Sequence, residues 1–450
     1  MIQFYSTNHQ APKVNLAEAL LQGQAPDKGL YLPESIPQLD LDELCALKNK
    51  PYADIAYAVL SKYTEGIFSD AILKSLCQDA YNYDVPLEHV SGHTYLLRLD
   101  GGPTASFKDF AARMMARLFG ELLKNSDQEL VILTATSGDT GSAVANAFLG
   151  IPHVKVMVLF PPEEVSERQR KQMTTLSDNI RTVALDGQFD DCQALVKQAF
   201  ADEDLEDIRL SSANSINIGR LLPQIVYYVY AYVRLAEIGE LMQICVPSGN
   251  FGNMMGALLA HRMGLPIDRL IIATNANDEV PVFFRTEEYH KIEPSRVCIS
   301  NAMNVGHPSN FARVIDLYGG WIDQNGIIHC MPDLERMHRE LWTVSISDEE
   351  TRASIQNAWR DYDLLLEPHG AVGWAGLKRY LESEGDPDML TVCVETAHPA
   401  KFPEEIEKLI GITPETPPSL QGLEDKPEHH IGLENNYTAF RNLLKETYGP

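Results

Sequence analysis

A chain of 450 residues, 44% of them hydrophobic, has room for two or three packed domains. Its formal net charge of −26 argues against nucleic-acid binding, because phosphates would be repelled. Anionic small molecules stay open, since local arginines and helix N-termini set the field inside a pocket.

The N-terminus, Met1-Ile2-Gln3-Phe4-Tyr5, lacks the basic-then-apolar pattern of a signal peptide. Residues 1–95 are helix-rich, broken by Pro and Gly, and predict a separate N-terminal unit. Then come Gly101-Gly102-Pro103-Thr104 and Ser106-Phe107-Lys108-Asp109-Phe110. Two aromatics flank Lys108, and stripping water from an ammonium lowers its pKa. A partly neutral amine can attack an aldehyde and form a Schiff base. Alone, this segment reads as a solvated lysine at a helix start; its company along the chain changes the reading.

Buried strands are expected at Leu130 to Thr134, Val154 to Leu159, Ile180 to Leu185, Gln243 to Val246, Leu270 to Thr274 and Thr391 to Val394. Helical spacing runs over Phe189 to Phe200, Asn217 to Ile238, Phe251 to Met263 and Glu349 to Tyr362. The alternation implies parallel sheets covered by helices. The longest apolar run, Leu221 to Val233, is too short and too interrupted to span a bilayer. Thr413-Pro414-Glu415-Thr416-Pro417-Pro418 reads as a surface connection before a terminal helix, Tyr437 to Tyr448. Seven cysteines (Cys45, Cys77, Cys192, Cys245, Cys298, Cys330, Cys393), never spaced C-x-x-C, predict buried free thiols in a reducing compartment. No zinc or other metal site is expected.

Two glycine-rich turns follow strands and precede helices. In Thr136-Ser137-Gly138-Asp139-Thr140-Gly141, small residues let a ligand approach the backbone, and the helix start offers free N–H groups to an anion. An ordinary tight turn capped by Asp139 or Thr140 fits this segment equally well. In Pro247-Ser248-Gly249-Asn250-Phe251-Gly252-Asn253, successive amides can converge on a phosphate. Neither turn is the dinucleotide or P-loop motif. Two phosphate-like turns and one desolvated lysine suggest a phosphorylated aldehyde, which pyridoxal 5'-phosphate is.

These segments, with Ser300-Asn301-Ala302-Met303, Thr396-Ala397-His398-Pro399-Ala400-Lys401-Phe402 and the early Gln3-Phe4-Tyr5-Ser6-Thr7 and Lys28-Gly29-Leu30-Tyr31-Leu32-Pro33-Glu34, resemble threonine synthases of the longer microbial and fungal branch. The resemblance implies an α/β, pyridoxal-phosphate-dependent fold of type II, tryptophan-synthase-β-like, with an additional N-terminal domain. Its division would be 1–95, a large cofactor-binding domain of 96–125 and 210–412, a small domain of 126–209, and a connection and helix at 413–450. Lys108 would be the Schiff-base lysine. Ser248, Gly249, Asn250, Phe251, Gly252 and Asn253 would hold the cofactor phosphate, and Thr396 would meet the pyridine nitrogen. Ser137, Gly138 and Thr140 would meet the substrate carboxylate, with Asp139 at the cofactor. Asn214, Ser215, Asn217 and Arg220 would hold the phosphate of O-phospho-L-homoserine, with Lys401 a further candidate. A cytoplasmic monomer or homodimer, with no nucleic-acid or membrane partner, is implied.

Other polar residues have plainer readings. Glu367 and His369 suit the cap of a helix beginning near Gly370. His398 fits a structural hydrogen bond as well as an acid. The implied reaction is phosphate elimination followed by water addition. The alternative is a related phospholyase or serine/threonine dehydratase giving a 2-keto acid and ammonia. A dehydratase has no need of the Asn214 to Arg220 segment or the N-terminal unit.

Overall fold

A computed structural model describes residues 1–449. The apolar runs form two mainly parallel sheets. The large sheet orders its strands Leu341–Ser345, Ile267–Thr274, Met242–Pro247, Leu390–Glu395, Thr94–Arg98 and Leu87–Ser91. Only the last pair is antiparallel. Met242–Pro247 and Leu390–Glu395 are buried at every residue. That is why they read as continuous apolar runs rather than alternating ones. The small sheet orders Ile431–Glu434, Ile180–Asp186, Val154–Phe160, Leu130–Ala135 and Leu210–Ser212, all parallel.

All six expected strands are present. The chain also uses strands that the sequence reading did not contain. Leu210–Ser212 belongs to the small sheet, so that sheet runs past position 209. Residues 413–450 are more than a connection and a helix: Ile431–Glu434 pairs with Val183 to Asp186. The helix Tyr437–Tyr448 buries Phe440 and Leu444 in the small domain's core.

The helix expected over Asn217 to Ile238 is shorter. It spans Ile225–Leu235, after 3₁₀ turns at Ile218–Arg220 and Leu222–Gln224. Pro223 lacks an amide hydrogen and suits a first turn rather than a helix interior. The cost in regularity frees the segment before it to form a loop.

The N-terminal unit holds the helices Leu16–Gln22, Leu41–Leu47, Tyr52–Thr64 and Asp70–Ala80. Asn15 and Asp40 start the first two with reciprocal capping boxes. A short ladder pairs Phe4–Ser6 with Tyr31–Pro33. The unit docks through apolar contact: the ring of Tyr52 lies 5.2 Å from Tyr230 and 5.5 Å from Phe110. Its residues share one continuous core with the large sheet.

Chemistry collects where parallel strands end. Leu130–Ala135, Met242–Pro247 and Leu390–Glu395 lead directly into the Ser137, Ser248 and Thr396 segments. In open α/β sheets, crevices form at these carboxyl ends. Here they open on a shared cavity of about 960 Å³.

Candidate active site

Lys108 opens the helix Lys108–Leu123. The segment before it is laced to the end of another strand: Phe107 N–H donates to Thr396 O at 2.8 Å, and Ser106 bridges Ala397. The ammonium lies 4.7 Å from the centre of the Phe107 ring and 3.9 Å from Asp139 Oδ2. Burial pushes the amine down to about 8, against the pull of Asp139 and with help from Lys401 and Arg220.

Asp139 is the fixed negative charge here. Burial alone would raise its pKa, but Lys401 and Lys108 together hold it well below the usual carboxylate range. Lys401 Nζ sits 2.6 Å from Asp139 Oδ1 and donates to Thr104 O at 3.0 Å. Gln169 Nε2 donates to the same carboxylate oxygen at 2.9 Å. Lys401 is therefore fully buried and engaged, and does not line the cavity. The expectation that it reaches the substrate phosphate is corrected: its ammonium is consumed by Asp139.

The first glycine turn is held from within. Thr136 Oγ1 accepts the amides of Gly138 at 2.9 Å and Gly141 at 2.8 Å. The amides of Ser137, Asp139 and Thr140 donate to no protein acceptor among the described residues. All three residues line the cavity at the start of the helix Asp139–Phe148. Gly138 itself faces away. Its φ is +130°, and a Cβ there would meet the Gln169 side chain at 2.5 Å. It supplies the bend rather than a contact.

The second turn leaves a longer row of donors. Gly249, Asn250, Phe251 and Gly252 have no protein acceptor for their amides among the described residues. Ser248 donates its amide to Ala273 O at 2.8 Å and its hydroxyl to Val246 O at 3.2 Å, which leaves that hydroxyl's lone pairs to accept. Phe251 adopts φ +60°, which turns the row toward the helix start at Gly252. Asn253 Oδ1 accepts the hydroxyls of Tyr227 at 2.5 Å and Tyr228 at 2.6 Å. Its Nδ2 is buried without a partner. Such an orphaned donor suits an anion in the cradle. Thr396 also lines the cavity. Its neighbour Glu395 points away, beneath Gly370, where burial raises its pKa well above the usual carboxylate range. A ring nitrogen placed at Thr396 thus meets a neutral hydroxyl.

A third set of donors surrounds Arg220, which is 3% exposed and lines the cavity. Its Nη1 donates to Ala213 O at 2.6 Å, and its Nε has no partner. Burial pushes the guanidinium down to about 10. Asn214 lines the cavity while its Nδ2 donates to Ala135 O at 2.9 Å. Ser215 lines it too, and its Oγ accepts from Asn250 Nδ2 at 2.7 Å. Asn217 does not reach the cavity. Its Nδ2 donates to Leu20 O at 2.8 Å and Ser212 O at 2.9 Å, and its Oδ1 accepts the Gly219 amide. The expectation that Asn217 holds substrate is corrected: its amide shapes the loop instead.

Glu367 caps the helix Pro368–Ser383, accepting the amides of His369 and Gly370. It also takes His369 Nδ1 at 2.5 Å, so that Nε2 is free to accept the Ala302 amide at 3.0 Å. His369 thereby holds the Asn301–Met303 turn against the cavity, a role absent from the sequence reading. His398 Nδ1 accepts the Ala400 amide, and burial pushes the ring down to about 4. All seven cysteines are free, but Cys45 and Cys330 are exposed rather than buried. The N-terminal unit supplies Thr7, Asn8 and Lys28 to the cavity wall.

The arrangement combines a desolvated amine, a row of amides suited to a phosphate, a neutral hydroxyl for a ring nitrogen, and two further anion-binding segments. The donor set fits pyridoxal phosphate. Comparison with known proteins agrees. The family model "Threonine synthase N terminus" matches residues 3–81, "Pyridoxal-phosphate dependent enzyme" matches 83–396, and "Threonine synthase, C-terminal" matches 370–444. The threonine synthase of Haemophilus influenzae is 38% identical over 448 residues, covering 98% of this chain and 99% of that one. The Escherichia coli enzyme is 37% identical, with the same coverage. Among solved structures, the PLP-bound threonine synthase of Brucella melitensis superposes with a TM-score of 0.92 at 32% identity, over 100% of both chains. A fungal L-serine ammonia-lyase from Rhizomucor miehei, 12% identical with a TM-score of 0.53, shares the fold alone. The matches to both terminal segments favour the phosphate-eliminating synthase over a dehydratase.

Proposed function

This chain belongs to the threonine synthase family, and we propose that it converts O-phospho-L-homoserine and water into L-threonine and phosphate around Lys108. What supports the reading is three separate sets of unpartnered donors facing one desolvated lysine.

Pyridoxal phosphate, when bound, supplies an aldehyde for amines and a ring that withdraws electrons from the substrate's carbons. The amides of Gly249 to Gly252, with Ser248 and the Asn253 amide, are assigned to its phosphate. Lys108 is assigned to its aldehyde carbon and Thr396 to its pyridine nitrogen. Opposite a neutral hydroxyl, that nitrogen need not be protonated. Placed acids and bases then steer the elimination.

The amides of Ser137, Asp139 and Thr140 hold the substrate carboxylate, which orients Cα toward Lys108. With cofactor and substrate bound, Lys108 would be a free amine in a buried site that lowers the cost of its neutral form. It takes the Cα proton and then moves protons at the neighbouring carbons. The Cγ–O bond breaks with its electron pair leaving on phosphate, which Arg220 and Ser215 grip. Cβ has by then lost one proton and takes the oxygen of water; Cγ gains a proton to become the methyl group, Cα regains one from Lys108, and the spare proton of water leaves with phosphate. Asp139, locked on Lys401, stays ionised beside Lys108 and fixes its position.

The cytoplasm is the proposed location, supported by seven unpaired cysteines. A monomer or homodimer is the proposed assembly. The direct test is a product assay with O-phospho-L-homoserine. Equal yields of L-threonine and phosphate are expected. A 2-keto acid and ammonia in place of threonine would overturn the reading.

A further inference from the structure

We propose that Asn310 and Arg313 are positioning residues that aim the Ser215 hydroxyl proton at the leaving phosphate, an inference that rests on the phosphate site proposed above.

Ser215 Oγ accepts from Asn250 Nδ2 at 2.7 Å and from Asn310 Nδ2 at 3.1 Å. A hydroxyl has two acceptor lone pairs and one proton. Both lone pairs are occupied, so only the proton is left to offer. Neither amide can turn over. Asn250 Oδ1 accepts the Ser309 amide at 2.6 Å, and Asn310 Oδ1 accepts Arg313 Nη1 at 2.5 Å. Reversing either side chain would set donor against donor.

Arg313 anchors this arrangement from beneath. It is 0% exposed, and no carboxylate pairs with it among the described residues. Besides Asn310 it donates to three backbone carbonyls: Tyr31 O at 3.0 Å, Ser215 O at 3.0 Å and Ile216 O at 2.7 Å. Burial pushes its guanidinium down to about 9. A buried cation with only neutral partners is costly unless an anion comes near. Arg220 ties down Ala213 O in the same loop. The carbonyls of Ala213, Ser215 and Ile216 are thus turned onto two buried guanidiniums. The amides of Ser215 and Ile216 donate to no protein acceptor among the described residues, and both residues line the cavity. This stretch of loop therefore presents donors. It selects a group whose oxygens all accept, as a fully ionised phosphate does.

Asn310→Asp tests the relay. Its carboxylate can pair with Arg313, which favours the fold, but it accepts only and would draw the Ser215 proton inward. The readout is inhibition of the holoenzyme by inorganic phosphate, measured beside cofactor absorbance and melting temperature. With absorbance and melting preserved, the inhibition constant should rise roughly 100-fold when Ser215 is present, and at least about fivefold less in a Ser215→Ala background. The added charge repels phosphate in both backgrounds and cancels in that comparison. Equal losses with and without the hydroxyl overturn the proposal, as does an unchanged constant in Asn310→Asp. Should the buried carboxylate disturb the fold, Asn310→Ala frees the hydroxyl to rotate. A loss of about threefold or more, confined to chains that keep Ser215, is then required. If Ser215→Ala and Arg220→Ala both leave phosphate inhibition unchanged, the phosphate site itself is wrong and the relay falls with it.

Discussion

At the scale of single residues, Lys108 and Arg220 divide the work, and their variants should fail differently. Lys108→Ala should lose the borohydride-trapped cofactor and all turnover while melting near the parent temperature, because the Asp139 to Lys401 pair survives it. A trapped adduct on another lysine would remove Lys108 from this role. The lowered pKa has its own signature. Only the neutral amine attacks an aldehyde, and the shift from 10.5 to about 8 places its appearance within working pH. Cofactor attachment to the apoprotein should therefore quicken about tenfold per pH unit below 8 and level off above it. An ordinary lysine would go on quickening to about pH 10, and stopped-flow absorbance separates the two. Arg220→Ala should keep the cofactor's absorbance and lower kcat/KM by roughly 30- to 1000-fold, the typical effect of losing one charged donor to a leaving group. Arg220→Lys keeps the charge but loses the fork, so it should also be impaired. Normal turnover in Arg220→Ala would take it out of the site. Local sequence singles out Lys108 and the two turns, by aromatics beside a lysine and glycines after a strand, while Arg220 was picked out only by the family resemblance around it. Asn310 and Arg313 were not legible. Their meaning depends on Ser215, about a hundred positions earlier, and no spacing rule spans that gap.

At the scale of elements, the buried strands were readable because burial on both faces demands unbroken apolar runs. Leu87–Ser91, Leu341–Ser345 and Ile431–Glu434 escaped because edge strands are short and half exposed. The Asn217 to Ile238 region was overread as one helix because its apolar spacing continues through Pro223, where the backbone cannot. The second glycine turn shows how closely elements approach. A Cβ on Gly249 would lie 2.7 Å from Met303 Cα and 3.3 Å from Ala302 O. Both are backbone atoms, in the turn that His369 holds in place. Gly249→Ala must therefore move the turn that carries the phosphate amides. Overpacking of this kind costs about 1–3 kcal/mol, which should appear as cofactor affinity weakened roughly 5- to 150-fold. Unchanged affinity in a cofactor titration would contradict the assignment of that turn.

At the scale of the whole molecule, the two sheets share one continuous apolar core, and loops from both line the cavity. The small sheet is completed by the end of the chain. Phe440 and Leu444 are fully buried against it, and each such side chain contributes about 1.5–3 kcal/mol. A chain ending at Glu428 should lose that strand and helix, open its small domain to proteolysis and bind cofactor poorly. Unaltered melting and cofactor binding would show the tail to be dispensable. The placement of Ile431–Glu434 also has a meaning in time. A chain is made from its N-terminus, and domains tend to fold in that order. Four strands of the small sheet are made long before the fifth. During that interval Ile180–Asp186 is an open edge, and its alternating exposed Arg181 and buried Thr182 keep it from being a flat apolar template. Once made, Ile431–Glu434 pairs with Val183 to Asp186 and closes that edge. The small sheet is therefore finished late, by a strand made after every strand of the large sheet.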